Sequence, residues 1–246
     1  LEKVRALLHA SRTQAMIVGN GLLARAFNTY KDDPNVLLFA SGVSNSAEQG
    51  VDAYAREFDL LASYSNTSMK LVYFSTVSIF DQDLQDSSYI KHKLRIEQYI
   101  ASTFSSYVIF RLPNVVGATA NNSTFFNGIK NRIVEDGKVF IKKNAIRYLI
   151  DVDDLSNLLP SIIERVDKVA VNVNFNNKSS AQRLVSLIGR LLGVEYEEVL
   201  VEGGSNYTPD NTQFLSYIPH NSVGFTEDYD YIVLKKYLHD NILPTK

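Results

Sequence analysis

Tyr89 and Lys93 stand four residues apart in Tyr89-Ile90-Lys91-His92-Lys93, a spacing that puts a phenol and an ammonium on one face of a helix. A cation beside a phenol lowers its pKa and makes it a usable acid or base near neutral pH, as the interconversion of a carbonyl and a hydroxyl requires. The same spacing is common on solvated helices, where it does nothing. A second candidate is Gly19-Asn20-Gly21-Leu22-Leu23-Ala24, small residues placed where an apolar strand turns into a helix. Glycines there let the backbone approach a pyrophosphate, and the helix N-terminus supplies amides. The alternative is a tight turn that binds nothing. Between the two lies Ser75-Thr76-Val77-Ser78, hydroxyls at the end of an apolar run.

The inventory around these groups excludes several chemistries. None of the 246 residues is cysteine, which rules out disulfides, zinc knuckles, iron–sulfur sites and thiol nucleophiles. His9, His92, His220 and His239 have no ligand-like spacing and read as surface or packing residues, so no metal is expected. With 25 Lys and Arg against 27 Asp and Glu, the net charge of −2 lacks the positive field that nucleic acid requires. No apolar run reaches the roughly 18 residues that cross a bilayer. The opening LEKVRALLHASRTQA mixes charges into its short apolar stretch, unlike a secretory signal, so a cytoplasmic protein without membrane partners is expected. Asn121-Asn122-Ser123 and Asn206-Tyr207-Thr208 are then chance sequons.

The elements that must position the candidates alternate between strand and helix. A leading helix is expected over 2–10, then a strand at Ala15–Val18, the glycines and a helical pattern. Strands follow at Asn35–Ser41, Lys70–Thr76 and Tyr107–Leu112, with helices at Val51–Tyr64 and Tyr89–Phe104 between them. Such alternation of buried strands and helices argues for a parallel sheet covered on both faces. Beyond Pro113 come an Asn-rich loop at Ala120–Ser123, a helix over Phe125–Glu135, a strand at Lys138–Lys142, a helix over Asp154–Arg165 capped by Asp153 or Asp154, and a strand at Ala170–Val173. A helix marked by Leu184, Leu187, Ile188, Leu191 and Leu192 carries a capping box from Ser179 to Gln182 and stops at Gly193; a last helix covers Tyr231–His239.

In this order, the glycine fingerprint, the hydroxyls and Tyr-x-x-x-Lys resemble the extended short-chain dehydrogenases/reductases, the NAD-dependent epimerase/dehydratase family acting on nucleotide-linked sugars. Ala40-Ser41-Gly42-Val43-Ser44, Arg111-Leu112-Pro113-Asn114-Val115-Val116-Gly117 and Arg147-Tyr148-Leu149-Ile150-Asp151-Val152-Asp153-Asp154 fit as well, over about residues 15–192. The resemblance implies an α/β Rossmann-like doubly wound parallel sheet with a small C-terminal substrate-binding subdomain. The dinucleotide-binding core would comprise residues 1–112 and 146–174, and the subdomain 113–145 and 175–246. It implies Tyr89 as proton donor or acceptor, Thr76 as the hydroxyl bonding the reacting oxygen, and Lys93 as both the tuner of Tyr89 and a ligand of the nicotinamide ribose. Gly19, Gly21, Ala24, Ser41 and Gly42 would join Lys93 around NAD or NADP, while Ser78, Asn114 and Arg147 would face the nucleotide sugar. For Arg147 the competing reading is an ion pair with a nearby carboxylate. A homodimer is a further implication, with Ile96 and Tyr99 as contacts unless they are buried against the sheet.

The chain departs from that pattern after Ala24, where only one helix fits before the strand at Asn35–Ser41. In a sheet ordered 3-2-1-4-5-6, dropping strands 2 and 3 shortens one edge and leaves 1-4-5-6 contiguous. The acid that binds the adenosine ribose normally follows the glycines by about 20 residues. Here that distance reaches Ser41–Ser44, with no acid; Asp32 and Asp33 come too early and look like loop residues. Arg25 reads either as a partner for a ribose phosphate or as a solvated helix residue. Val77-Ser78 stands where 4,6-dehydratases of the family carry Asp-Glu, so dehydration is disfavoured against reduction or epimerisation. The competing expectation is a catalytically silent nucleotide-sugar-binding or regulatory subunit.

Overall fold

The computed structural model describes residues 16–239; the helix expected over 2–10 and residue 15 lie outside them. Five parallel strands, β1 (Ile17–Val18), β2 (Val36–Phe39), β3 (Lys70–Thr76), β4 (Tyr107–Leu112) and β9 (Val169–Asn172), form one sheet in that order. Among the described residues the sheet ends at β1, in keeping with the expected shortened edge. Its cause is local: the segment between β1 and β2 holds only α1 (Leu22–Ala26) and a 3-10 turn (Asn28–Asp32), closed off by Asp33 and Pro34.

The strands alternate sides. Leu38, Val72, Phe74, Val108 and Phe110 face α1 and α5 (Val152–Arg165), while Leu37, Phe39, Leu71, Tyr73 and Ile109 face α2 (Val51–Ala62) and α3 (Ser88–Thr103). Burial on both faces explains why these strands read as continuous apolar runs. Ile96 has no exposure and is buried against the sheet, whereas Tyr99 is half-buried and packs on Phe58 of α2 and on Phe104.

Helix α3 starts at Ser87, whose side chain accepts from the Ile90 amide. Its buried stripe carries Tyr89, His92, Lys93 and Glu97 beside Ile90, Ile96 and Ile100. Four ionisable groups on a buried face are costly unless each is paired, which marks this face as the place to look for chemistry.

The remaining elements are β5 (Asn114–Val116), α4 (Phe125–Asn131), β6 (Lys138–Lys142), β7 (Ile146–Arg147), β8 (Leu149–Asp151), β10 (Ser179–Ser180), α6 (Ala181–Leu192), β11 (Glu197–Val201), α7 (Thr212–Leu215) and α8 (Tyr229–His239). They add three two-stranded pairings, β5 with β8, β6 with β11 and β7 with β10. The apolar core under α1 and α5 runs unbroken into this layer through Ile133, Val139, Leu184, Ile188 and Phe214.

Several local expectations are corrected. Asp151, not Asp153 or Asp154, caps α5, accepting from the Asp153 amide. Asp151 also holds α8, through Lys236 Nζ at 2.7 Å and the Tyr237 hydroxyl at 2.5 Å. Ser180 rather than Ser179 caps α6, because Ser179 pairs with Arg147 in the β10–β7 ladder and its hydroxyl bonds Asp230. Helix α4 gives way to a wider π-type turn over Arg132–Asp136, ended by Gly137 at φ 61°. Gly193, at φ 66°, stops α6 as expected. Among the described residues no helix is long and apolar enough to cross a membrane.

Candidate active site

The parallel strands bring the C-terminal ends of β1, β2 and β3 to one edge, where the glycine turn, Ser41-Gly42 and Thr76 meet. Gly19 has φ +124°, and a Cβ there would lie 2.6 Å from the Ala40 carbonyl oxygen, so its glycine is required by the approach of β2. Gly21 has an ordinary φ of −75° and nothing within 4 Å of a built Cβ. Its bare backbone therefore borders open space. Ala24 is buried in the packing of α1. Arg25, although exposed, donates to the carbonyls of Asn20 (3.0 Å) and Ala118 (3.3 Å), and Asn121 reaches the Ser44 hydroxyl at 3.3 Å. The 117–121 loop is thereby tied across the strand ends. Arg56 donates to the Ser41 hydroxyl and carbonyl, both at 3.1 Å.

Behind these loops the side chains of α2, β3 and α3 converge. Thr76 acts on the Tyr89 phenol, drawing its pKa down, and the Thr76 oxygen accepts from the Ser78 amide at 3.0 Å. The Lys93 ammonium, almost wholly buried, donates to Tyr73 Oη at 2.9 Å and to Glu57 Oε1 at 3.1 Å. Two of its three N–H groups are thus engaged, and it lies 5.9 Å from the Tyr89 ring centre. Glu57, with no exposure, accepts from four groups: Lys93, Tyr73 Oη (2.5 Å), the Val43 amide (2.7 Å) and His92 Nε2 (2.9 Å).

These contacts set the ionisation. Burial raises the Glu57 carboxyl, but the Lys93 charge and the hydrogen bonds from His92, Tyr73 and Val43 outweigh it and carry the pKa from 4.5 to about 2. Burial pulls Lys93 below its usual value, against the opposing pull of Glu57 and Glu97, so the ion pair offsets only part of the desolvation. Tyr89 is pushed well up by burial, with Thr76 drawing it partly back. Burial is thus the largest influence on the phenol and holds it protonated.

On the substrate side, Ser78 and Arg147 converge and Asn114 stands apart. Burial raises the Tyr207 phenol, and Arg147 and Ser78 both act on it in the opposite direction. Arg147 Nη1 pairs with the buried Asp81 at 3.4 Å and donates to the Ile146 carbonyl at 2.7 Å, the carboxylate partner that its competing reading anticipated. Asn114 Nδ2 is engaged by the Tyr148 carbonyl at 3.1 Å, in the connection between β5 and β8. Two surface hollows border α6, one lined by Gly189, Arg190 and Tyr196, the other by Arg190, Leu191, Asp228 and Tyr231; neither contains a residue of this cluster. The chemistry rather than a concavity locates the site.

Sequence reasoning missed Glu57, Tyr73, Tyr207 and Asp81, and it took His92 for a packing residue. A signal was available for Glu57. Tyr54, Glu57, Phe58 and Leu61 fall at i, i+3, i+4 and i+7, which puts a carboxylate in the buried phase of α2.

A parallel α/β sheet with a glycine turn after β1 and a Tyr-x-x-x-Lys helix packed on β3 defines a Rossmann-type fold. A sequence profile described as the NAD dependent epimerase/dehydratase family matches residues 7–176, and the chain belongs to that family. Among solved structures, the Bordetella bronchiseptica enzyme WbmH in complex with NAD+ aligns with a TM-score of 0.65 at 17% identity, over 92% of this chain and 83% of that one. The UDP-glucose 4-epimerase of Thermotoga maritima with UDP-glucose gives 0.62 at 17% identity over 89% and 81%. RMD from Pseudomonas aeruginosa with NADPH gives 0.58 at 13% identity over 96% and 94%. No curated protein sequence matches the chain.

The residues present fit one end of a nicotinamide dinucleotide. Gly21 offers bare backbone beside free space for a pyrophosphate, and the third Lys93 N–H is uncommitted among the described residues. At the adenosine end, no acid occupies Ser41–Ser44 and, among the described residues, the sheet stops at β1.

Proposed function

We propose that this protein is an NAD(P)-dependent oxidoreductase or epimerase that transfers hydride at a carbon of a nucleotide-linked sugar, with Tyr89 as the acid/base. The observation that carries the reading is the gathering of Thr76, Tyr89 and a buried Lys93, its ammonium 5.9 Å from the Tyr89 ring centre, at the strand edge that also bears the glycine turn.

In this reading Gly19, Gly21, Ala24, Ser41 and Gly42 shape the dinucleotide site, and the free N–H of Lys93 bonds the nicotinamide ribose. When bound, the dinucleotide supplies or accepts the hydride. Thr76 donates to the sugar oxygen and fixes it against the Tyr89 hydroxyl. Tyr89 then gives its proton to that oxygen as a carbonyl becomes a hydroxyl, or takes it back in reverse. Burial keeps Tyr89 protonated at rest, so the proton it gives up in the reducing direction is in place. Ser78 and Arg147 would line the sugar side, with Arg147 turning from Asp81 toward a diphosphate. Asn114 would present its side-chain oxygen, its amide nitrogen being held by Tyr148. The proposal includes a cytoplasmic setting and a homodimer, whose contacts must lie on exposed faces because Ile96 belongs to the core.

Titration with NADH and NADPH, followed by turnover with UDP-linked keto sugars read by nicotinamide absorbance, tests the reading. Binding and oxidation of the reduced cofactor are expected. Purified protein carrying tightly held NAD and epimerising unaided would replace the reductase by an epimerase. A second reading, a silent binding or regulatory subunit, draws on Lys93 being clasped by Glu57 and on the missing ribose acid. Binding of neither dinucleotide at millimolar concentration would select it.

A further inference from the structure

Glu57 takes no part in the mechanism above, yet it is the best-coordinated carboxylate near the site. Its two oxygens receive four donors from three places in the fold: Lys93 and His92 on α3, Tyr73 on β3, and the Val43 amide after β2. Other groups face the same pocket. Tyr54 of α2 packs on the His92 ring at 4.6 Å, and Tyr89 lies one turn before Lys93. Glu97 lies one turn beyond Lys93, but it is claimed by Arg111 of β4 and by Ser75, each at 2.6 Å. Glu57 is therefore the carboxylate that directly contacts the Lys93 ammonium among the described residues.

A Cβ on Gly42 would lie 2.9 Å from both Glu57 Oε1 and Lys93 Nζ, so the strand-end loop rests on this pair. The pair is thus the floor under a segment assigned above to the cofactor. An ammonium in a dry site keeps its proton only beside a compensating negative charge.

We propose that Glu57 is a positioning residue for Lys93: it keeps the buried amine charged, holds it beneath the strand-end loop at Gly42 with one N–H left free, and is itself locked by His92, Tyr73 and Val43. This rests on the reading of Lys93 as a ribose ligand. A neutral partner at position 57 would leave only the more distant Glu97 to oppose burial. Lys93 would then shed its proton at lower pH than in the unsubstituted protein, and with it the charge that attracts a dinucleotide and steadies Tyr89 after proton donation.

The test uses the full chain, unsubstituted and as Glu57→Gln, with two readouts. The first is the pH titration of the Lys93 side chain, followed by the Cε chemical shift of isotope-labelled lysine and assigned with Lys93→Arg. Its midpoint is expected to fall by about 1–3 pH units in Glu57→Gln, as for loss of an opposite charge in contact. The second is NADPH affinity from nicotinamide fluorescence, expected to weaken at least tenfold with rising pH over that interval in the variant and to stay flat in the unsubstituted protein. An unchanged Lys93 midpoint overturns the proposal, because a merely structural carboxylate would alter stability and not this titration. If Glu57→Gln does not fold, Glu57→Asp decides: a midpoint lower by roughly half a pH unit supports the proposal, and no movement overturns it. Absence of NADH and NADPH binding by the unsubstituted protein would defeat the functional reading instead, whatever Lys93 does.

Discussion

Replacing Gly21 and Gly19 by alanine, one at a time, separates the two jobs of the turn after β1. At Gly21 the backbone is extended (φ −75°, ψ −166°) and a methyl would meet nothing within 4 Å. Alanine fits there without strain, and restricting the unfolded chain should stabilise the fold by about 0.4–1 kcal/mol. The same methyl would fill the space where a pyrophosphate approaches the backbone. Loss of one charge-assisted hydrogen bond, at about 1.5–3 kcal/mol, converts to a dinucleotide affinity weaker by about 10- to 100-fold. At Gly19, by contrast, alanine would adopt φ +124° and press on the Ala40 carbonyl at 2.6 Å. Strain and overpacking together should cost about 2–5 kcal/mol, or about 5–15 °C in Tm for a chain of this size. Thermal unfolding and fluorescence titration with NADH and NADPH read the two effects separately. If Gly21→Ala binds either cofactor as tightly as the parent, the turn does not face a pyrophosphate and the assignment of the glycines fails.

Three further outcomes follow from the same geometry. Tyr89→Phe should keep dinucleotide affinity within about twofold yet lower kcat by about 10²–10⁴, measured by stopped-flow nicotinamide absorbance. Because the Glu57 pKa falls on folding from 4.5 to about 2, its contribution to stability is complete above about pH 4.5 and is lost as the pH drops toward 2. Tm plotted against pH should show that acid limb, and Glu57→Gln should flatten it. Asp151→Ala removes the cap of α5 and the anchors of Lys236 and Tyr237 at once, a loss of about 2–4 kcal/mol that should release Tyr229–His239 to faster amide exchange.

The central sheet was legible because its signal is one-dimensional. Val36–Phe39 and Lys70–Thr76 are apolar on both faces, and the short interval after Ala24 holds a single helix. Boundaries slipped where two residues compete for one task, as Ser179 and Ser180 do at the start of α6. Thr76 and Tyr89 stood out as candidates because the roles proposed for them depend on local order along the chain. The Glu57 cluster was not, since it assembles from α2, β3 and α3, and only the fold makes 57, 73 and 93 neighbours. The state of Tyr89 was likewise beyond spacing: an ammonium four residues away counts for less than the desolvation of the phenol itself.

The unbroken core beneath α1 and α5 governs how such a site can admit a large ligand. Side chains from Phe74 and Phe110 through Leu155 to Leu184 and Phe214 belong to one packed body, so there is no lubricated seam on which two halves could swing like jaws. Admission would instead rely on small segments breathing locally, foremost the strap fastened by Arg25 to Ala118 and by Asn121 to Ser44. Those two fasteners are exposed, whereas Asn127 of α4 holds Thr119 and Asn121 from the buried side, so release of the strap would swing it on α4 and gate the site by a loop rather than by a hinge.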